Sequence, residues 1–432
     1  MANRSAQEME LLEKARRYLP GGNNGNLHHE PERQFLLQRG LGSHVWDVSG
    51  KEYIDYLLGS GPMVLGHSHP AVVEAVSDAM QGGSTFFATN DRAVLLAEQI
   101  VEAVPCAEKV RFTTSGTDAT FQAMRVARAF RRRDKILKFE GGFHGSNDYA
   151  LMSVTPGERG GNFPHPVPNS AGIPKAIEDL VLIAPFNDTE TTTQIIEEHH
   201  DELACVIMEP MQRVLAPKPG FLQAVRDITA HHQIPLIFDE VVTGFRLAYG
   251  GAQEFYGVTP DMATVGKIVG GGFPLAAVTG RDEIMAVYDG TRSEPDDFVS
   301  QVGTLNGNHV ACAAGLATLA ELRKPGTYER IRHTGRRLRE ALETLCAEAE
   351  IPALTTGEDP TFDIYFMEGS VSDYRSTLAN DRGITEQFNV GLLERGVLKG
   401  WPSKFYVSLA HTDEDVDRTI EAFAQSISEI RR

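Results

Sequence analysis

Ile234-Pro-Leu-Ile-Phe-Asp-Glu240 and Met262-Ala-Thr-Val-Gly-Lys-Ile-Val-Gly-Gly-Gly272 decide the fold. Each is a short apolar run that ends in a polar side chain, Asp239 in the first and Lys267 in the second. Short apolar runs between turn signals read as strands buried on both faces, the habit of parallel sheets. In an open α/β sheet, ligands sit at the C-terminal edge of the strands. A lysine delivered there into an apolar pocket gives up its proton readily and becomes an amine nucleophile toward a carbonyl. An aspartate at the same edge can hold a positive charge.

Working outward, similar runs occur at Lys109–Thr114, Lys135–Phe139, Leu180–Ala184, Ala204–Met208 and Ala276–Thr279. Amphipathic stretches such as Thr117–Arg131 and Phe221–His231 separate them. This alternation predicts an α/β fold with a mostly parallel seven-stranded sheet wrapped by helices. After Gly307 the pattern changes. Ala311–Arg323, Tyr328–Glu350 and Asp413–Arg431 read as helices, with strands near Phe362–Phe366 and Phe405–Leu409. At the other end, Ala6–Tyr18 reads as a helix, and Gly42–Trp46 with Glu52–Asp55 as a hairpin. The expected organisation is an N-terminal segment 1–60, a large domain 61–310 and a smaller α+β domain 311–432 that the N-terminal segment joins. Pro20–Gly25, Ser153–Asn169 and Thr291–Asp297 read as loops.

The length of 432 residues is ample for a large core, and 41% hydrophobic with 23% charged residues is ordinary for a globular enzyme. A formal net charge of −18 argues against a nucleic-acid partner. No apolar stretch is long enough to span a membrane, and the first ten residues hold no signal-type segment. Cys106, Cys205, Cys312 and Cys346 are widely spaced, which points to reduced thiols in a cytoplasmic protein.

Two further motifs follow strand candidates. Ser115-Gly-Thr-Asp118 opens an amphipathic helix, where free N–H groups and the helix dipole suit a phosphate; a plain N-cap reads the same way. Gly141-Gly-Phe-His-Gly145 is a glycine-rich turn whose Phe143 can stack on a planar ring with His144 beside it, or simply pack in the core. Glu209, Asp239 and Glu240 lack the spacing of a metal site. Phosphate cradle, aromatic, aspartate and lysine together are what pyridoxal 5'-phosphate requires: a Schiff-base lysine and a carboxylate on the pyridinium nitrogen.

With these motifs the chain resembles the class III, fold-type I, pyridoxal phosphate-dependent aminotransferases. The resemblance runs from about Leu12 to Ile430. It is carried by Ser115-Gly-Thr-Asp-Ala119, Phe143-His-Gly145, Phe238-Asp-Glu-Val-Val-Thr-Gly-Phe-Arg246, Pro260-Asp261 leading to Gly266-Lys267, and Gly303-Thr-Leu-Asn-Gly-Asn308. The resemblance implies that Lys267 is the catalytic lysine and Asp239 the partner of the pyridine nitrogen. It places Val241 and Phe143 on the two ring faces, with His144 and Glu209 near the cofactor. Ser115, Gly116 and Thr117 form the phosphate turn. Thr304 is implied to reach the phosphate from a neighbouring subunit, hence a homodimer. Arg246 is left between a structural role, as one half of a buried ion pair, and a functional one. The implied activity is ping-pong transamination from an amine or amino-acid donor to a keto acid or aldehyde acceptor.

Within the family, Gly59-Ser-Gly-Pro-Met-Val-Leu-Gly-His67 and Val407-Ser-Leu-Ala-His-Thr412 resemble the glutamate-1-semialdehyde aminomutase branch. That aminomutase, with its intramolecular transfer, and the β-amino acid transaminases are the alternatives. Both use an arginine just after an N-terminal Pro-Gly-Gly turn. Here Pro20-Gly-Gly22 leads into Asn23-Asn-Gly-Asn-Leu-His-His29 with no arginine, and Ser60 stands where the aminomutase has a tryptophan. Bidentate Arg–carboxylate pairing is strong, so its loss calls for a substitute such as His28, His29 or Lys404, or for a donor without that carboxylate. Phe86, Phe87 and Trp401 are candidates for an apolar pocket lining or for core packing.

Overall fold

In the computed structural model, which describes residues 4–25, 33–292, 296–400 and 404–430, all seven runs are strands of one sheet. They are β1 (Lys109–Thr113), β2 (Lys135–Phe139), β3 (Val181–Ala184), β4 (Leu203–Met208), β5 (Leu236–Glu240), β6 (Met262–Val265) and β7 (Ala276–Gly280). Their order across the sheet is β1-β7-β6-β5-β4-β2-β3. Only β7 runs against its neighbours; the other pairings are parallel.

The unbroken apolar character of the runs has a direct cause. Successive side chains enter opposite cores: Leu236 and Phe238 pack on one face of β5 and Ile237 on the other. Each of these buried side chains contributes roughly 1.5–3 kcal/mol relative to exposure. The helix Gly116–Arg131 covers the second face through Ala119, Ala123, Met124 and Ala127, one stripe at helical spacing. Ser115 caps its start, and it ends at Arg132 with φ 55°. On the other face, the helix His309–Leu322 packs so tightly that a Cβ on Gly315 would meet the carbonyl oxygen of Val269 at 2.2 Å.

The two ends of the chain build smaller sheets. Leu37–Leu41, His44–Asp47 and Glu52–Asp55 form a meander, and Val397–Leu398 adds to it in parallel, Val397 opposite Ile54. Leu354–Glu358, Thr361–Tyr365 and Phe405–Tyr406 form an antiparallel sheet. The expected strand to Leu409 is shorter than its apolar run because Ser408 turns back, its N–H and hydroxyl meeting His411 Nδ1 at 3.0 and 3.1 Å. The last helix, Asp413–Ser428, opens with a capping box on Thr412. Its Asp415 also accepts from Ser43 Oγ at 2.7 Å and meets His44 Nε2 at 2.8 Å, tying the first hairpin to the last helix.

Candidate active site at the C-terminal edge of the sheet

Asp239 sits near the end of β5, 5% exposed. One carboxylate oxygen accepts from Thr264 Oγ1 and the Val241 N–H, each at 3.1 Å. The other lies 2.8 Å from His144 Nδ1. Strand register explains the first contact, since Asp239 is opposite Thr264 on β6. His144 is held by the turn after β2, where its carbonyl accepts from Thr120 Oγ1 at 2.6 Å. Its Nε2 is buried without a partner among the described residues.

Lys267 leaves the end of β6 with φ 50°, a left-handed backbone that costs roughly 1 kcal/mol or more in a non-glycine residue. Burial lowers its pKa. Tyr406 and Asp239 oppose that shift, while Lys404 and Arg246 add to it. The lysine therefore shares one electrostatic neighbourhood with Asp239 and with the C-terminal strand Phe405–Tyr406. A shift toward the neutral amine is what a nucleophilic lysine needs.

The turn after β1 forms the third wall. Ser115 accepts from the Asp118 N–H at 3.1 Å, so it is the plain N-cap as well as a phosphate-turn candidate. The first N–H groups of a helix have no partner inside it and face outward with the positive dipole end. Close approach explains the glycines. A Cβ on Gly116 would lie 2.9 Å from Val241 Cγ1, and one on Gly145 (φ 89°) only 2.6 Å from Thr117 Cα. Phe143, 39% exposed, presents its ring at the open side. Its N–H donates to Glu209 at 3.1 Å, and the Arg213 N–H donates to the same carboxylate.

The predicted residues Ser115, Gly116, Thr117, Phe143, His144, Glu209, Asp239, Val241 and Lys267 are thus linked by contacts around one edge. Thr304 is not among them within this chain. It is exposed between Val302 and Leu305, themselves 80% and 46% exposed. Phe86 and Phe87 do not enter the core of this chain: they are 48% and 70% exposed, Phe86 resting edge-on against His309. His28, His29 and Trp401 lie outside the described residues. The four cysteines are buried and free, and burial pushes the Cys205 and Cys312 thiols up to about 12, far from thiolate at neutral pH.

Arg246 departs from the expectation that a buried arginine has an acidic partner. It is fully buried and donates to the carbonyls of Gly61 and Val242, and its guanidinium lies 4.9 Å from the Tyr406 ring centre. Nη1 has no partner among the described residues. Arg246 therefore anchors the Leu58–Gly61 turn that carries Ser60. Tyr406 and Arg213 escaped the sequence reading, since neither stands in a patterned motif. Glu240, weighed as a metal ligand, is fully committed to the Thr243 hydroxyl and the N–H groups of Ala252 and Gln253.

These features fit pyridoxal phosphate. A buried carboxylate is held at the strand end by Thr264, Val241 and His144, a lysine is shifted toward its neutral form, and a helix N-terminus lies beside two closely approached glycines. Comparison with known proteins agrees. Residues 27–427 match the family Aminotransferase class-III. The glutamate-1-semialdehyde 2,1-aminomutase of Methanocaldococcus jannaschii is 40% identical over 428 residues, covering 98% of each chain. Among solved structures, an omega-transaminase from Sphaerobacter thermophilus superposes with a TM-score of 0.92 at 36% identity, covering 99% of this chain and 98% of that one. A transaminase with PLP bound superposes with a TM-score of 0.88 at 30% identity, covering 98% and 97%. The chain belongs to the class III aminotransferases, pyridoxal phosphate-dependent enzymes of fold-type I.

Proposed function

We propose that this chain moves an amino group between an amine-bearing carbon and a carbonyl carbon, with Lys267 as the proton-carrying base and Asp239 as the carboxylate facing the cofactor's pyridine nitrogen. The observation behind this reading is the convergence of Lys267 and the Asp239–His144 pair at one sheet edge. When bound, pyridoxal phosphate supplies an electron sink for the carbon that loses its proton. Lys267, held toward its neutral form by burial, takes that proton and returns it to the neighbouring carbon as general base and then acid. Thr264, Val241 and His144 fix the Asp239 carboxylate, so its charge stays aimed. With the cofactor bound, Ser115, Gly116 and Thr117 would hold its phosphate and Phe143 and Val241 would contact its ring, while Glu209 fixes the turn that carries Phe143. Thr304, exposed among apolar neighbours, completes the phosphate site of a second copy, which makes the unit a homodimer.

Two finer readings share this machinery. The names of the curated relatives support intramolecular transfer, as in glutamate-1-semialdehyde 2,1-aminomutase, better than transfer between two molecules. Two observations favour the intermolecular reading, from an amine or amino-acid donor to a keto acid or aldehyde. Asn23, Asn24 and Gly25 follow the Pro20–Gly22 turn without an arginine, and Ser60 leaves an open, exposed turn where that aminomutase carries a tryptophan. Steady-state kinetics separates them. Ping-pong dependence on two substrates supports the transaminase; turnover of glutamate-1-semialdehyde alone supports the aminomutase. Loss of all turnover in Lys267→Ala is expected under both.

A further inference from the structure

We infer that Arg213, together with Lys404, is the carboxylate clamp of this site, so that the amino donor or its carbonyl partner carries a carboxylate. The inference rests on the amino-transfer reading above and holds for both of its finer forms.

A cavity of about 680 Å³ lies between the loop after β4 and the strand Thr361–Tyr365, and Gly141, Arg213, Tyr365 and Lys404 are in its wall. It adjoins the cofactor edge, for the Arg213 guanidinium lies 5.5 Å from the Phe143 ring centre. No carboxylate pairs with that guanidinium among the described residues. Neither does one pair with Lys404, which is only 8% exposed. The nearby acids are already taken. Glu209 accepts the backbone N–H groups of Phe143 and Arg213, and Asp363 holds Lys399 Nζ at 2.9 Å. Arg33, in the same wall, is paired with Glu386 at 3.2 Å.

Two cations sharing a cavity without an anion are costly, and a ligand carboxylate relieves that cost. Burial pushes Lys404 down to about 7, and Arg213 adds to that shift while Glu209 and Asp363 oppose it. Backbone geometry points the same way. Arg213 and Lys404 hold φ of 61° and 70°, where glycine would sit without strain, yet both carry long cationic side chains. The rest of the protein is acidic, at −18 overall, so a cationic cavity is not a general property of its surface. A guanidinium fork suits a carboxylate in bidentate geometry, and the Tyr365 hydroxyl in the same wall can donate to it as well. The anchor absent after Pro20–Gly22 is thus supplied from the loop after β4.

The test is calorimetric titration of glutarate, a dicarboxylate that cannot react, into the holoenzyme, alongside KM for a carboxylate-bearing amine and for 1-phenylethylamine. The wild type should bind glutarate. Arg213→Met and Lys404→Met should each weaken binding about tenfold or more, and Arg213→Lys, which keeps the charge but not the fork, should fall between. The ratio of the two KM values should rise about tenfold in Arg213→Met. Circular dichroism identifies any variant that fails to fold, and the Lys variant then carries the comparison. Wild-type protein that does not bind glutarate, Arg213→Met that binds it normally, or equal rises in both KM values would overturn the clamp. Failure of every amine to change the cofactor absorbance would instead count against amino transfer, while the glutarate titration still reads the clamp.

Discussion

Replacing Asp239 with Asn removes one charge while keeping shape. The carboxylate accepts from Thr264, from the Val241 N–H and from His144. An asparagine keeps its carbonyl toward the first two and turns its amide toward His144, whose other tautomer can accept. Hydrogen bonds to a charged group contribute about 1.5–3 kcal/mol and neutral ones about 0.5–1.5, so three weakened bonds cost roughly 3–4.5 kcal/mol. The fold should survive that. Catalysis should not, because the positive ring nitrogen loses its counter-charge. Removing one preorganised electrostatic partner typically lowers rate by about 10²–10³-fold. The assay is rapid mixing of holoenzyme with an amine donor, following cofactor absorbance through a single half-reaction. Thr264→Val is the control: it deletes one bond to the carboxylate but keeps the charge, and should lose about tenfold or less. Asp239→Asn within about threefold of wild type would refute the assignment. So would Thr264→Val as slow as Asp239→Asn, since packing rather than charge would then be decisive.

Gly145→Ala forces a left-handed alanine and sets Cβ 2.6 Å from Thr117 Cα; strain and overpacking together predict a loss of about 2–5 kcal/mol, read as a lower melting temperature and cofactor lost on dialysis. Burial lowers the Lys267 pKa, so the amine half-reaction should persist well below the ordinary lysine range and fade only as pH falls through the lowered value. Lys404 contributes to that lowering, so Lys404→Met should move the acid limb of the rate profile to higher pH. At Asp415, burial alone would raise the pKa, but hydrogen bonds from His44, the Thr412 N–H and Ser43 outweigh it and hold the carboxyl far down; the Asp415 bond raises His44 in turn. The Asp415 contribution is present above the ordinary carboxylate value and lost as pH falls through its depressed one. The His44 contribution is present below about pH 6.5 and lost as pH rises through its raised one. Asp415→Asn should therefore flatten the decline in thermal stability between weakly acidic and weakly alkaline buffer and cost about 2–4 kcal/mol at pH 6.

Much of the fold was legible because the central strands are buried on both faces and so appear as uninterrupted apolar runs. Asp239 and Lys267 were legible for the related reason that a polar residue closing such a run emerges at the sheet edge. The strand Leu37–Leu41 was not, since most of its residues are exposed and no alternation marks it. Val397–Leu398 is too short to carry a period. For Phe86 and Phe87 the core-packing alternative failed, because hydrophobicity alone does not separate a core residue from one on an exposed loop. Arg213, on a loop, and Tyr406, on the short strand Phe405–Tyr406, come together with the site only by tertiary approach from distant parts of the chain, and nothing local marks either as a site residue. The fully buried Arg246, with no acid partner among the described residues, could not be foreseen, because the carbonyls it binds leave no side-chain signature.

The parallel pairing of Val397–Leu398 with Ile54–Asp55, and the Ser43–Asp415 bond between positions 372 residues apart, make the molecule a closed loop in time as well as in space. The central sheet can assemble while the ribosome is still adding residues, but the first hairpin must wait for its partner strand. Lys404, Tyr406 and the anchor at Asp415 follow well after the sheet in chain order. The surroundings of Lys267 are therefore complete only after synthesis has run more than about a hundred residues past it, to Lys404 and Tyr406, so the reactive amine gains its working environment long after it is made.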